Sequence, residues 1–328
     1  MSSCTPRARP MPTEPGTSQA TGAGGAVTWP DAAIRDLADA ILHTIVYADL
    51  FDYPLTTAQI HRYLMAYAAP YSAVADRLAG DAGLRAHIDS HPPYWFLAGR
   101  RELVEVRQTR EAWSQALWRK ARGYGRVVTS LPFVRMAAVT GSLAMDNVTG
   151  TDDDIDFLIV TRNGRVWFAR GLVLLLVHAA ARQGIELCPN YVLAEQNLGM
   201  APANIYTAHE LAQMVPLSGA ATYRRLFTSN TWIVDYLPNA VSLQARTGRR
   251  GHVTRRGQRL AEATLSGRLG DAIERWEQER KIPRLRRIAA EAGSRGAIYT
   301  PQLCKGHADD HAAALAQRFA ARIAALGL

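Results

Sequence analysis

Two short stretches of the chain carry residue types that could do chemistry together. The first, Val139-Thr140-Gly141-Ser142, closes an apolar run from Val134 with a Gly-Ser turn. The second is Asp153-Asp154-Ile155-Asp156-Phe157-Leu158-Ile159-Val160, which ends in a Thr161-Arg162-Asn163-Gly164 turn. On a strand, alternation puts Asp154 and Asp156 on one face and Ile155 and Phe157 on the other. Two carboxylates on one face repel each other and weaken a purely structural strand. A divalent cation compensates such a pair, and hard oxygen donors suit Mg²⁺. A Gly-Ser turn that opens a helix offers backbone N–H groups and a hydroxyl to a phosphate. The two stretches together point to a metal and a polyphosphate.

The pair Gly141-Ser142 … Asp154-Ile155-Asp156 resembles the signature of the nucleotidyltransferase superfamily with a DNA-polymerase-β-like palm, over roughly Val134 to Leu193. The resemblance implies that Asp154 and Asp156 are catalytic metal ligands for Mg²⁺ or Mn²⁺. It implies that Gly141 and Ser142 bind the nucleotide, an NTP expected to be ATP, and that an NMP passes to a hydroxyl on a small molecule or a protein. The family places a third carboxylate on the strand after the following helix. Here that strand reads Glu186-Leu187-Cys188-Pro189-Asn190-Tyr191-Val192, and Asn190 stands at the third-acid position. An amide cannot accept a proton, so the base is left to Glu186 or Glu195. Two alternatives stay open: a catalytically degenerate nucleotide-binding regulator or scaffold, and an RNA-directed nucleotidyltransferase.

The elements that must position these residues follow from periodicity. Val134–Val139 and Ile155–Val160 read as strands, Ser142 to about Val148 as a short helix, Val166 to about Gln183 as a buried helix, and Ile185–Leu193 as a third strand. The expected class is α+β, with a palm at 131–200. Residues 201–240 resemble the helical segment after the palm in small-molecule and protein nucleotidylyltransferases, which implies helices covering nucleotide and acceptor, with His209 and Glu210, and Arg224 and Arg225, as pocket candidates. A connecting helix is expected at 101–130. Upstream, at 30–100, three helices and a strand pair with Ser90-His91-Pro92-Pro93 at its turn resemble a winged helix. Residues 1–29, rich in Pro, Gly, Ser, Thr and Ala, read as a disordered tail, and 241–328 as a basic helical region.

Charge argues against the obvious role for a winged helix. The chain carries a formal +9, yet Asp31 to Arg100 has five arginines against eight aspartates. Phosphate-backbone affinity needs a basic face, so DNA readout is not expected there. The excess lies beyond Val241, with seventeen basic and eight acidic residues, and leaves RNA or an acidic partner open. Three distant cysteines exclude a disulfide framework and suggest a reducing, cytoplasmic setting. Arg7 and Arg9 have no apolar block behind them, so no export signal is expected. The most apolar run, Gly171–Ala181, falls short of the roughly twenty residues that span a bilayer, so no membrane partner is expected. Cys304, His307 and His311 lack a fourth ligand for zinc.

Overall fold

The computed structural model describes residues 34–241, 255–294, 296–306 and 310–327, and among them the chain is α+β. The expected tail at 1–29 lies outside these residues. The N-terminal part runs α1 (Leu37–Asp49), β1 (Leu55–Thr56), α2 (Thr57–Arg62), α3 (Tyr71–Gly80), α4 (Ala82–Arg85), β2 (Ile88–His91) and β3 (Tyr94–Leu97). Its helix starts are locally encoded. The Asp36 carboxylate accepts from Ala38 and Asp39 N–H at the head of α1. Thr56 and Gln59 form a reciprocal capping box at α2, and Pro70 precedes α3. The three strands form an antiparallel sheet in the order β1-β3-β2.

A long helix, α5 (Leu103–Ser130), leads to the second half. There follow β4 (Val134–Val139), α6 (Gly141–Ala144), β5 (Ile155–Thr161), α7 (Val166–Ala181), β6 (Leu187–Ala194), α8 (Ile205–Gln213), β7 (Val215–Pro216), α9 (Ala220–Thr228) and α10 (Ile233–Tyr236). Beyond 254 come α11 (Arg255–Leu265), α12 (Arg268–Glu291), β8 (Ile298–Thr300), β9 (Leu303–Lys305) and α13 (Asp310–Ala325). The expectation of an all-helical C-terminal region needs correction. The β8–β9 hairpin pairs with β6 and completes a six-stranded sheet ordered β7-β4-β5-β6-β9-β8. β5 and β6 are parallel, joined by the α7 crossover, and every other pairing is antiparallel. A three-residue strand such as Ile298-Tyr299-Thr300 is too short to show alternation by itself. α12 also runs through Pro283.

Both faces of this sheet are covered, which explains why β5 is a nearly unbroken apolar run. Ile155, Phe157 and Ile159 pack with Val192, Ala194 and Trp167 in one core, against α5, α7 and α12. Leu158 and Val160 pack on the opposite face with Tyr191 and Leu193. That second core is continuous with α1, α2, α3, α8, α9, α10 and α13, so the N-terminal helices and the sheet share one interior. Asp154 and Asp156 continue the register of Leu158 and Val160. They therefore face the side that the N-terminal helices and α8 cover.

α6 is shorter than the periodicity suggests. Asp146 takes a left-handed φ of 55°, and the Met145 and Asn147 N–H groups both return to the Ser142 carbonyl, which ends the helix after one turn. The loop that follows is tied down from two directions. Tyr53 donates its hydroxyl to the Met145 carbonyl at 2.6 Å, and Trp118 Nε1 donates to Asp146 at 2.7 Å. Cys304 lies buried in β9, where burial pushes its thiol pKa up. His307 and the side chain of His311 lie outside the described residues, as do Arg249, Arg250 and the side chains of Arg255 and Arg256.

Candidate functional site

The site grows from the first turn of β5. Thr140 N–H donates to the Asp156 carbonyl at 3.0 Å, so the chain stays paired to β5 until it turns at Gly141. Gly141 has φ +67°, a conformation that favours glycine. A methyl group built there would sit 2.2 Å from Asp156 Oδ2. Glycine is thus required twice, for the turn and for the close approach of the backbone to the carboxylate. Ser142 follows, half-buried, in the single turn of α6.

Three neighbouring acids, Asp153, Asp154 and Asp156, have different jobs. Asp153 accepts from Thr149 N–H at 2.9 Å and closes the loop before the strand. Asp154 and Asp156 converge instead: each offers a ligand oxygen, and with Cys188 Sγ these atoms lie within 4.8 Å of one another. Both aspartates keep part of their surface open, whereas Cys188 is buried. Asn190 joins them, its amide Nδ2 donating to Asp156 and its Oδ1 accepting from Cys188 Sγ at 2.8 Å.

A register shift explains how β6 delivers so many polar groups to one face. Asp156 lies opposite Cys188, but Leu158 lies opposite Tyr191, so Pro189 and Asn190 together face the single residue Phe157. This is a bulge, and Pro189, which has no N–H for the ladder, sits where one is tolerated. Cys188 and Tyr191 therefore share the acidic face with Asn190 beside them. Pro189 inside the strand is the sequence signal for this bulge.

The electrostatics of Asp156 are one-sided. Its carboxyl pKa stands well above the usual carboxylate range, first because of burial and then because of Asp154; Glu210 and Asp153 push the same way, and the Asn190 hydrogen bond opposes them. Among the described residues no arginine or lysine forms an ion pair with Asp156. Glu210, on α8, is also the first cause of the raised pKa of Tyr206 and adds to that of Tyr47. Its charge therefore reaches the acidic face. Lys305 was missed by sequence reading: it lies opposite Tyr191 on β9, buried, with its ammonium 5.4 Å from the centre of the Tyr191 ring.

Gly141, Asp154, Asp156 and Asn190 are thus brought together, with Ser142 adjoining. Two candidates are not. Glu186 is exposed ahead of β6, offering only its backbone carbonyl to Ile155 N–H at 2.9 Å. Glu195 follows β6 at the Thr161 end of β5, about 16 Å along the strand from Asp156, where its carbonyl accepts from Arg225 at 2.8 Å. A strand's two ends cannot serve one reacting group, which removes Glu195 as the base. Arg224 is exposed. His209 is no acid–base group either: buried and stacked on Tyr47 at 4.1 Å, its pKa is held down to about 3 by desolvation.

The donor set fits a divalent ion. It combines two carboxylates and a sulfur, and it has a glycine cradle that any side chain would fill. Compared with known proteins, the chain matches no family model, no curated protein and no solved structure. No helix of the described residues is long and apolar enough to cross a membrane.

Proposed function

We propose that the chain is a metal-dependent nucleotidyltransferase that moves an NMP from an NTP, ATP being the expected donor, to an acceptor hydroxyl and releases pyrophosphate. One observation carries this reading: Asp154 and Asp156 converge directly against the positive-φ Gly141 turn, and among the described residues no cationic side chain pairs with Asp156. The element order supports it as well. An antiparallel β4–β5 pair, a helical crossover and a parallel β6 is the arrangement that a polymerase-β-like palm requires. The upstream order α1-β1-α2-α3-α4-β2-β3, with sheet order β1-β3-β2, supports a winged-helix reading of that part, α4 being a single extra turn.

Asp154 and Asp156 would hold Mg²⁺ or Mn²⁺, which supplies positive charge against the triphosphate. Asn190 keeps the Asp156 carboxylate oriented toward that position. The exposed backbone at Gly141 and Ser142 takes the terminal phosphates; a single helical turn adds little dipole, so contact with N–H groups is what this bend offers. Glu210 takes the role left open by Asn190 and receives the proton of the acceptor hydroxyl. Tyr206 lies near enough to feel the charges of both Glu210 and Asp156. In-line attack then depends on positioning more than on covalent help.

The test is transfer of label from an α-labelled NTP, with Mg²⁺ or Mn²⁺, into a lysate of the native host, comparing the chain with its Asp154→Asn/Asp156→Asn double variant. Equal transfer by both would sink the assignment. A second reading, a nucleotide-binding protein without turnover, is favoured by the amide of Asn190 at the third-acid position. It predicts metal-dependent ATP binding with no pyrophosphate release from any NTP.

A further inference from the structure

Cys188 has no part in the mechanism just described, yet it sits among the groups that would hold the metal. We infer that Cys188 Sγ is a third metal donor beside Asp154 and Asp156, and that it biases the site toward a thiolate-accepting divalent ion, Co²⁺ or Zn²⁺, over Mg²⁺. The inference rests on the reading of the acidic pair as a metal site.

The geometry comes first. Donors bound to one ion lie within about 4.5 Å of each other when metal–sulfur and metal–oxygen bonds are about 2.3 and 2.1 Å. The two carboxylate oxygens and Sγ already lie within 4.8 Å, so side-chain torsions alone bring them onto one ion. Backbone pairing holds the sulfur there, because Cys188 stands directly opposite Asp156 in the parallel register and just before the bulge. Orientation comes second. The thiol donates its proton to Asn190 Oδ1 at 2.8 Å, so its lone pairs turn away from the amide. Asn190 thereby holds both donors while the sulfur is protonated, Cys188 through Oδ1 and Asp156 through Nδ2; metal binding gives up the first contact and keeps the second.

Chemistry then decides the ion. Mg²⁺ demands oxygen donors in near-ideal octahedral geometry and has little affinity for sulfur, whereas the borderline ions accept a mixed carboxylate–thiolate set. Binding exchanges the S–H bond for an S–metal bond and releases one proton to solvent, with no change of oxidation state. Only the thiolate is a ligand, so binding through sulfur strengthens as pH rises.

The experiment is a titration of the full-length chain with Co²⁺ and Cd²⁺, read by absorbance for thiolate-to-metal charge transfer. Co²⁺, Mn²⁺ and Mg²⁺ affinities are measured alongside by calorimetry. The expected result is a charge-transfer band in the native chain and in Cys304→Ser that is absent from Cys188→Ser. Cys188→Ser should also narrow the preference for Co²⁺ over Mg²⁺ by about tenfold while still binding Mg²⁺. Cys188→Ala, with far-UV circular dichroism on both variants, guards against loss of fold, and the band in the native chain needs no variant at all. Metal binding without a band, with unchanged preference in Cys188→Ser, would overturn the role of the sulfur and leave the acidic pair intact. No binding of any of the four ions, with Asp156→Asn indistinguishable from the native chain, would overturn both.

Discussion

Asp49 and Asp156 are both carboxylates held inside the fold, and the chain treats them in opposite ways. Asp49, at the end of α1, lies between two guanidinium groups, Arg100 at 2.7 Å and Arg322 at 3.0 Å, and Arg100 also binds Asp52 at 2.8 Å. Burial raises its pKa, and both arginines work to bring it back down. Asp156 is also raised by burial, but the charges around it, Asp154, Glu210 and Asp153, raise it further. A structural carboxylate is thus neutralised from within the chain. The charges that act on the other carry its own sign, so a cation from outside is its natural counterpart. The difference separates scaffold from site without reference to any relative.

The sharpest way to break this comparison is to neutralise each aspartate in turn. Asp156→Asn keeps the shape and the Asn190 contact but removes the charge. Nucleotide transfer should fall by about 10³-fold or more, while metal-free stability rises by about 1 kcal/mol because a like-charge contact is lost. Asp49→Asn should do the reverse. Leaving two arginines without their carboxylate costs roughly 2–3 kcal/mol, less than a fully buried pair because both arginines reach solvent, and transfer at 25 °C should stay within about twofold. Urea unfolding and a transfer assay on both variants check the pair. Equal losses of activity would erase the distinction.

Smaller changes sharpen it. Glu210→Gln should lower kcat by about 10²-fold with metal affinity unchanged, as expected for a base and not a ligand. A shift in metal affinity instead would move Glu210 into the coordinating set. Gly141→Ala forces a methyl group against Asp156 Oδ2 and strains a backbone at φ +67°. It should cost about 1–2 kcal/mol of stability and weaken metal binding measurably by calorimetry.

Much of the site was legible because its chemistry is local. Asp154-Ile155-Asp156 carries its own alternation, and a Gly-Ser turn after an apolar strand names its own conformation. α1, α2 and α3 were legible for the same reason, since Asp36, Thr56 and Pro70 mark their starts within one turn. What stayed hidden depends on pairing between distant segments. Lys305 reaches the acidic face only because β9, more than a hundred residues after β6, pairs with it. Cys188 and Tyr191 share that face only because a bulge shifts the register at Pro189. Glu195 looked suitable by residue type, and strand direction carried it to the wrong end.

The smallest expected effect is also the one that tests the electrostatic contrast most directly. Because Asp156 stays protonated to higher pH in the fold than in the unfolded chain, the native state binds more protons across the interval between the two pKa values. Stability of the metal-free chain should therefore fall as pH rises through that interval and level off above it. Asp49 contributes a slope of the same sign, its pKa also being raised, so the share of the acidic pair is the difference between the native chain and Asp156→Asn. Divalent ions compete with those protons, so Mn²⁺ should raise the melting temperature more at pH 8 than at pH 5.5, by a few degrees, about 1 kcal/mol. In Asp156→Asn that pH-dependent gain should vanish, whereas in Asp49→Asn it should persist on a lower baseline. If the gain vanished in Asp49→Asn instead, the arginine-bound carboxylate would be the one that senses the cation, and scaffold and site would have to exchange places.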